Sequence, residues 1–151
     1  MKLSSQKIVE APIADVYAAV LDFAAFEDML SSRGTKIARC GDIAPPEIGA
    51  EWAASFTWHD RAYDVTATLV SVDPGHGYAI ESHGSGIACM AVVDLQEATA
   101  SETKLFVSFD FSATSFGSKL LLQTLRFTGP SLNRRLDKRV EKFASDLAKR
   151  A

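Results

Sequence analysis

The sequence predicts an α+β fold in which a curved antiparallel sheet of about seven strands wraps around a long C-terminal helix, with two short helices after the first strand. Three observations support this prediction. Apolar and polar residues alternate with a period of two through much of residues 51–111, which is typical of half-buried strands. An apolar stripe at helical spacing follows at residues 132–147. The length of 151 residues, with 47% hydrophobic and 23% charged residues, predicts a single domain over residues 1–151.

The N-terminal part of the chain carries the signals of a strand, two short helices and a second strand. Residues 3–10 have a weak strand pattern. Pro12 suits the first turn of the helix that follows, because a proline there gives up an amide that has no helical partner. A second short helix is predicted at about Phe23–Leu30, and another weak strand at Thr35–Cys40.

The central strands can be aligned by requiring that one face stays apolar. A two-residue turn at Asp60-Arg61 predicts that Trp58 pairs with Tyr63 and Phe56 with Val65. The pairings predicted for the next two hairpins, the first with its turn at Gly84-Ser85, are Ile80 with Cys89, Ser82 with Ile87, Val93 with Val107, Ala91 with Phe109, and Cys89 with Phe111. The alternation changes parity between Leu69 and Val72, which predicts a β-bulge there.

The last third of the chain predicts the long helix. Its apolar stripe consists of Leu132, Leu136, Val140, Phe143 and Leu147. Residues 117–128 also have a helical pattern, and Gly129-Pro130 predicts a kink or a short break between the two stretches. Because the stripe must be buried, we expect the helix to lie across the concave face of the sheet.

This order of elements resembles the START-like superfamily, also called SRPBCC or helix-grip, in particular its polyketide cyclase/dehydrase-like and lipid-transport members. Residues 8–17, IVEAPIADVY, are similar to the first strand, Ala-Pro step and first helix of that family. Residues 21–27 resemble its second-helix entry, and residues 63–74 its central strand and turn. The resemblance covers essentially the whole chain, and it indicates fold more strongly than activity, because the superfamily includes carriers, receptors and enzymes.

The resemblance implies a cavity between the long helix and the sheet that holds a small hydrophobic ligand, such as a lipid, isoprenoid, polyketide or aromatic compound. The alignment of the strands and the pattern of the long helix indicate which residues would line it: Trp52, Phe56, Trp58, Tyr63, Val65, Tyr78, Ile80, Cys89, Ala91, Phe109, Phe111, Leu121, Leu125 and Leu132. Rim or polar contacts are expected from His59, Arg61, Ser82 and Arg126. The alternative for these side chains is that they fill an ordinary core.

Motifs for catalysis or metal binding are absent from the sequence. The three histidines are scattered, so no metal or other cofactor is expected. The concave face predicted for the central strands carries no ionisable side chain, which favours a binding protein over an enzyme. A polyketide cyclase- or dehydratase-like enzyme remains the alternative, because Arg39 or Arg126 could point inward. No catalytic residue is predicted.

The charge of the chain is unevenly distributed. The net charge of −3 and the pI near 5.6 disfavour a nucleic-acid partner. Residues 117–151 nevertheless carry a net charge of +6, against −9 for residues 1–116. The basic helix, with Arg134, Arg135 and Arg139, is therefore either an ordinary solvated face or a contact for an anionic membrane or a protein partner. No apolar run reaches the ~18 residues of a membrane span and no signal peptide is evident, so a cytoplasmic location is expected.

Overall fold

A seven-stranded antiparallel sheet forms the body of the structure, a computed structural model that describes residues 1–58 and 60–150. The elements in chain order are β1 (Lys2–Val9), α1 (Ile13–Val20), α2 (Phe23–Ser32), β2 (Lys36–Cys40), β3 (Glu51–Trp58), β4 (Arg61–Asp73), β5 (Gly77–Gly84), β6 (Ile87–Thr99), β7 (Glu102–Ala113) and α3 (Phe116–Arg150). The strands lie in the order β1-β7-β6-β5-β4-β3-β2. This architecture confirms the predicted α+β fold with a curved sheet, two short helices and a long C-terminal helix.

The pairing of β6 with β7 confirms the register predicted for that hairpin. Val93 lies opposite Val107, and Ala91 lies opposite Phe109. The predicted bulge is also confirmed, since the pairing of β4 with β5 shifts between Leu69 and Ser71. An extra residue at this point bends β4 and increases the twist of the sheet.

The registers predicted for the other two hairpins are wrong by two residues. β3 and β4 pair Phe56 with Tyr63 rather than with Val65, and β5 and β6 pair Ile80 with Ala91 rather than with Cys89. The turns determine these registers, because tight hairpins need residues with positive φ. Asp60 adopts a φ of 61°, a conformation that aspartate tolerates better than most residues. A shift of two residues leaves every side chain on its predicted face.

The turn between β5 and β6 has the same physical origin. Ser85 and Gly86 both have positive φ, 54° and 77°, so these two residues form the turn in place of Gly84-Ser85. Gly84 then pairs directly with Ile87, and Ser82 pairs with Cys89 rather than with Ile87.

The long helix α3 passes through Gly129 and Pro130 without a break. Of the two predicted alternatives, a kink or a short break, the short break is therefore wrong. A proline inside a helix removes one hydrogen bond, and the regular turns on both sides continue the helix across it. Among the described residues no helix is both long enough and apolar enough to cross a bilayer.

The first hydrophobic core fixes the position of α3. Val140 and Leu147 from the predicted stripe are buried against Val9, Leu95 and Leu105. The packing of the helix is concentrated on β1 and β7. The helix therefore covers the β1 side of the concave face and leaves the side toward β3 less covered.

The second core lies between α2 and the other side of the sheet. Phe23 packs against Trp52 and Tyr78, with ring centroids 5.4 and 5.1 Å apart, and Leu69 is fully buried beside them. Both cores lie toward the sheet end that carries Tyr78 and Leu95. The concave face beyond them, toward the β3–β4 and β5–β6 turns, is left without a packed core.

Candidate ligand-binding cleft

The candidate site is the part of the concave face that neither core covers. The pairings β3 to β7 place one set of side chains on this face: Phe56, Tyr63, Val65, Ile80, Ser82, Cys89, Ala91, Phe109 and Phe111. Most of these side chains are apolar, yet only Tyr63 among them is buried, and Phe56 is 38% exposed. Apolar side chains left half-exposed on a concave surface are the kind of lining that a ligand-binding cleft needs.

One face of the helix carries three further leucines from the predicted lining. Leu121, Leu125 and Leu132 fall within about 40° of one another at 100° per residue. All three are half-buried, whereas the neighbouring Leu122 is buried. Their incomplete burial is similar to that of the sheet residues on the concave face.

Two predicted lining residues, Trp52 and Tyr78, belong to the second core and not to the half-exposed part of the concave face. Trp52 is 4% exposed and Tyr78 is 9% exposed. The hydroxyl of Tyr78 donates a hydrogen bond to the carbonyl oxygen of Val20 at 2.8 Å, at the end of α1. Burial raises the pKa of Tyr78 well above its usual value. This hydroxyl therefore supports the fold and is not free to orient a ligand.

Aromatic rings concentrate at the β3–β4 hairpin. Phe56 and Tyr63 stack with centroids 5.3 Å apart, and Trp58 lies 6.5 Å from Tyr63. The guanidinium of Arg61 lies 5.4 Å from the centre of the Tyr63 ring, within cation–π range. Arg61 begins β4 and shares the cleft-side face with Tyr63, which corrects the prediction that this face carries no charge. His59, the other predicted rim residue at this hairpin, lies outside the described residues.

A polar junction that was not predicted from the sequence joins α2, β2 and β3. One carboxylate oxygen of Glu27 accepts hydrogen bonds from Arg39 Nε at 2.7 Å and from Trp52 Nε1 at 2.8 Å. The hydrogen bond from Arg39 holds the pKa of Glu27 below its usual value, against the opposing effect of burial. Glu27 follows Phe23 by four residues, so the two share a helix face, and this spacing is the signal that could have found it.

The remaining polar groups on this face are Ser82 and Cys89. Ser82 lies opposite Cys89 in the sheet. Burial, together with the nearby charge of Asp110, raises the pKa of the Cys89 thiol to about 11. A thiol in this state is protonated at neutral pH and makes a poor nucleophile. Both Cys89 and Cys40 are free.

Cationic side chains gather where α2 ends beside α3. Burial lowers the pKa of Arg139, and the neighbouring charges of Arg33 and Arg135 lower it further. The rings of Phe26 and Phe143 stack at 6.1 Å and hold the same two helices together. Two of the three arginines predicted for membrane contact therefore lie near α2.

Arg126, the last predicted polar contact, lines a groove of about 340 Å³ together with Met1, Phe111 and Lys119. This groove lies between the start of β1 and α3. Within residues 1–58 and 60–150, no three His, Cys, Asp or Glu side chains lie close enough together to hold a metal ion.

A curved seven-stranded sheet that grips a long C-terminal helix is the helix-grip fold of the START-like superfamily, and this chain has that fold. The Zhui aromatase/cyclase from Streptomyces sp. R1128 superimposes with a TM-score of 0.72 at 13% identity, over 99% of this chain and 94% of that one. Norcoclaurine synthase from Thalictrum flavum, in complex with dopamine and hydroxybenzaldehyde, gives a TM-score of 0.69 at 12% identity, over 100% and 88%.

Ara h 8.0201 is a third similar structure, with a TM-score of 0.60 at 11% identity over 99% of this chain and 95% of that one. No protein-family model and no curated protein sequence matches the chain. Identities this low establish the shared fold, and the helix-grip resemblance noted in the sequence is confirmed at that level.

Proposed function

We propose that the protein binds and carries a small hydrophobic molecule in the cleft between the concave face and α3. The observation that supports this proposal is the set of apolar side chains left half-exposed there, represented by Phe56, Ala91 and Phe109. Contiguous apolar surface of this kind marks a ligand groove more often than a defect of packing. A lipid, isoprenoid, polyketide or aromatic compound has the matching chemistry.

Apolar burial provides the affinity in this proposal, and a few polar groups provide orientation. Each 100 Å² of apolar surface removed from water contributes about 2.5 kcal/mol before the cost of association. The partly exposed ring of Phe56, held by stacking on the buried Tyr63, offers a flat surface for an aromatic ligand. Arg61 at the hairpin end of the cleft would attract a carboxylate or phenolate on such a ligand.

The test is a pair of tryptophan substitutions on one strand. Ala91 lies in the middle of the cleft-side face, and Ala88 lies on the opposite face of β6. In Ala91→Trp the indole occupies the cleft, so binding of anilinonaphthalene sulfonate, a fluorescent apolar probe, should be lost. Ala88→Trp adds the same indole outside the cleft and should leave binding unchanged. Equal binding by both variants and the unsubstituted protein would exclude the cleft as the site.

A cyclase- or dehydratase-like reaction is the second candidate, favoured by the likeness to an aromatase/cyclase. The ionisable groups at the cleft give it less support. Glu27 is held ionised by Arg39 and Trp52, and Cys89 is held protonated, so neither is set to exchange a proton near neutral pH. Mass spectrometry of a bound poly-β-ketone analogue over time separates the two candidates, because a carrier returns the compound unchanged.

Contact of the basic helix with an anionic membrane would give a carrier access to an apolar ligand. Arg134 is exposed on α3, whereas Arg135 and Arg139 share the region near Arg33. Reversing the charge of all three to Glu should weaken binding to vesicles that contain phosphatidylserine, and unchanged binding would exclude these residues as the contact.

A further inference from the structure

The N-terminal half of α3 displays an apolar stripe to solvent. Phe116 is 79% exposed, Leu120 is 55% exposed and Phe127 is 89% exposed. At 100° per residue these three side chains fall within about 40° of one another, along about 16 Å of helix. They point away from the buried Leu122 and from the half-buried Leu121, Leu125 and Leu132. Exposed rings aligned on one helix face are typical of an interaction surface.

The charged residues next to this stripe in the sequence are all basic. Lys119 and Arg126 lie on the same half-helix, one on each side of Leu122 in the sequence and both exposed. No Asp or Glu occurs between Asp110 and Asp137, while the same stretch contains four Lys or Arg. The stripe therefore combines apolar side chains with positive charge only, in a chain whose net charge is negative.

We infer that this stripe docks the protein on a lipid bilayer with anionic headgroups. Phe116, Leu120 and Phe127 insert into the interface between headgroups and acyl chains, and Lys119 and Arg126 contact the phosphates. A second copy of this chain is the other occupant to consider. Two copies meeting through the same stripe would bring like charges together with no carboxylate to offset them, so charge complementarity favours the bilayer.

The stripe also lies close to the open end of the proposed cleft, which matters if the protein is a carrier as proposed above. The start of α3 is tied to the β5–β6 turn, where Thr114 donates hydrogen bonds to the carbonyl oxygen of Gly86 from its amide at 2.7 Å and from its hydroxyl at 2.8 Å. This turn lies at the end of the sheet that the cores leave open. A bilayer at the stripe therefore lies next to the open end of the cleft, where an apolar ligand could pass between them.

The experiment is flotation of the full chain with vesicles of phosphatidylcholine, with and without phosphatidylserine. Phe116→Ser combined with Phe127→Ser should lower binding to the anionic vesicles by about tenfold or more, because two inserted rings are lost. Lys119→Glu combined with Arg126→Glu should reduce the preference for phosphatidylserine, and an unchanged preference would overturn the part assigned to these two cations. Ile48→Ser is the control, since Ile48 is 55% exposed in the loop between β2 and β3, outside α3, and it should bind like the unsubstituted protein.

Three results would overturn the inference: no binding of the unsubstituted protein to anionic vesicles, equal binding by the serine variant, or equal loss by Ile48→Ser. Sedimentation velocity identifies the second copy as the occupant if the serine variant dissociates a dimer while vesicle binding is unchanged. Ala91→Trp should bind vesicles normally, because its indole affects only the cleft. Failure of the docking surface is thereby distinguished from failure of the ligand-binding proposal.

Discussion

Tyr78→Phe tests whether a predicted ligand contact is in fact a structural one. The phenol donates to the carbonyl oxygen of Val20 at 2.8 Å in a buried setting, and the ring packs 5.1 Å from that of Phe23. Phenylalanine keeps the ring packing and removes only the hydroxyl. The loss of one hydrogen bond, together with a carbonyl left unpaired, should lower the free energy of unfolding by about 1–2 kcal/mol. In a chain of this size that change lowers Tm by about 2–8 °C.

Urea denaturation measures the free energy, with the slope checked to show that the unfolded state is unchanged. Tyr17→Phe is the control, because Tyr17 packs against the first core and its hydroxyl makes no hydrogen bond within the described part of the chain. It should change the free energy by less than about 0.5 kcal/mol. Equal loss of stability by both variants would refute a structural role for the Tyr78 hydroxyl. Weaker ligand binding by Tyr78→Phe with its stability kept would refute it as well.

The other predictions follow from burial and pKa shifts. Leu69→Ala should lower the free energy of unfolding by about 2–5 kcal/mol because Leu69 is fully buried. Phe56→Ala removes a larger side chain but should cost less stability, since Phe56 is 38% exposed. Urea midpoints compare the two variants, and a larger loss for Phe56→Ala would contradict an open cleft at Phe56. The folded pKa of Glu27 is lowered, so its stabilisation is present at neutral pH and lost as pH falls through that folded value. Glu27→Gln should therefore flatten the acid limb of a stability–pH curve, and an unchanged limb would count against the Arg39 pairing. Cys89 should react with iodoacetamide slowly at neutral pH and faster as pH approaches 11; peptide mapping of the labelled sites would contradict this if Cys89 were alkylated rapidly at neutral pH.

The sequence was sufficient to predict which face of each strand is apolar, and less sufficient to predict which residues pair. The alternation of apolar and polar residues determines the face on which each side chain lies, and a shift of two residues in the pairing leaves that face unchanged. The predicted β6–β7 register is correct, whereas the β3–β4 and β5–β6 registers are wrong by two residues. The latter two depend on turns at Asp60 and Ser85, whose positive φ cannot be recognised from an apolar pattern.

The parts of the site that could not be predicted depend on packing between distant elements. The position of α3 over β1 and β7 decides which concave residues stay half-exposed, and no local pattern specifies it. The contacts of Glu27 with Arg39 and Trp52 join residues 12 and 25 positions apart. Tyr78 illustrates the same limit, because its face was predicted correctly but its hydroxyl partner Val20 lies 58 residues away.

The most direct test of the central proposal is to locate a bound hydrophobic molecule by NMR. Backbone amide shifts recorded during titration with anilinonaphthalene sulfonate would report the site residue by residue. The carrier proposal predicts a saturable response that is largest at Phe56, Ala91 and Phe109 on the cleft-side face. Shifts confined to Phe116, Leu120 and Phe127, or a response that does not saturate, would contradict a binding site in the cleft.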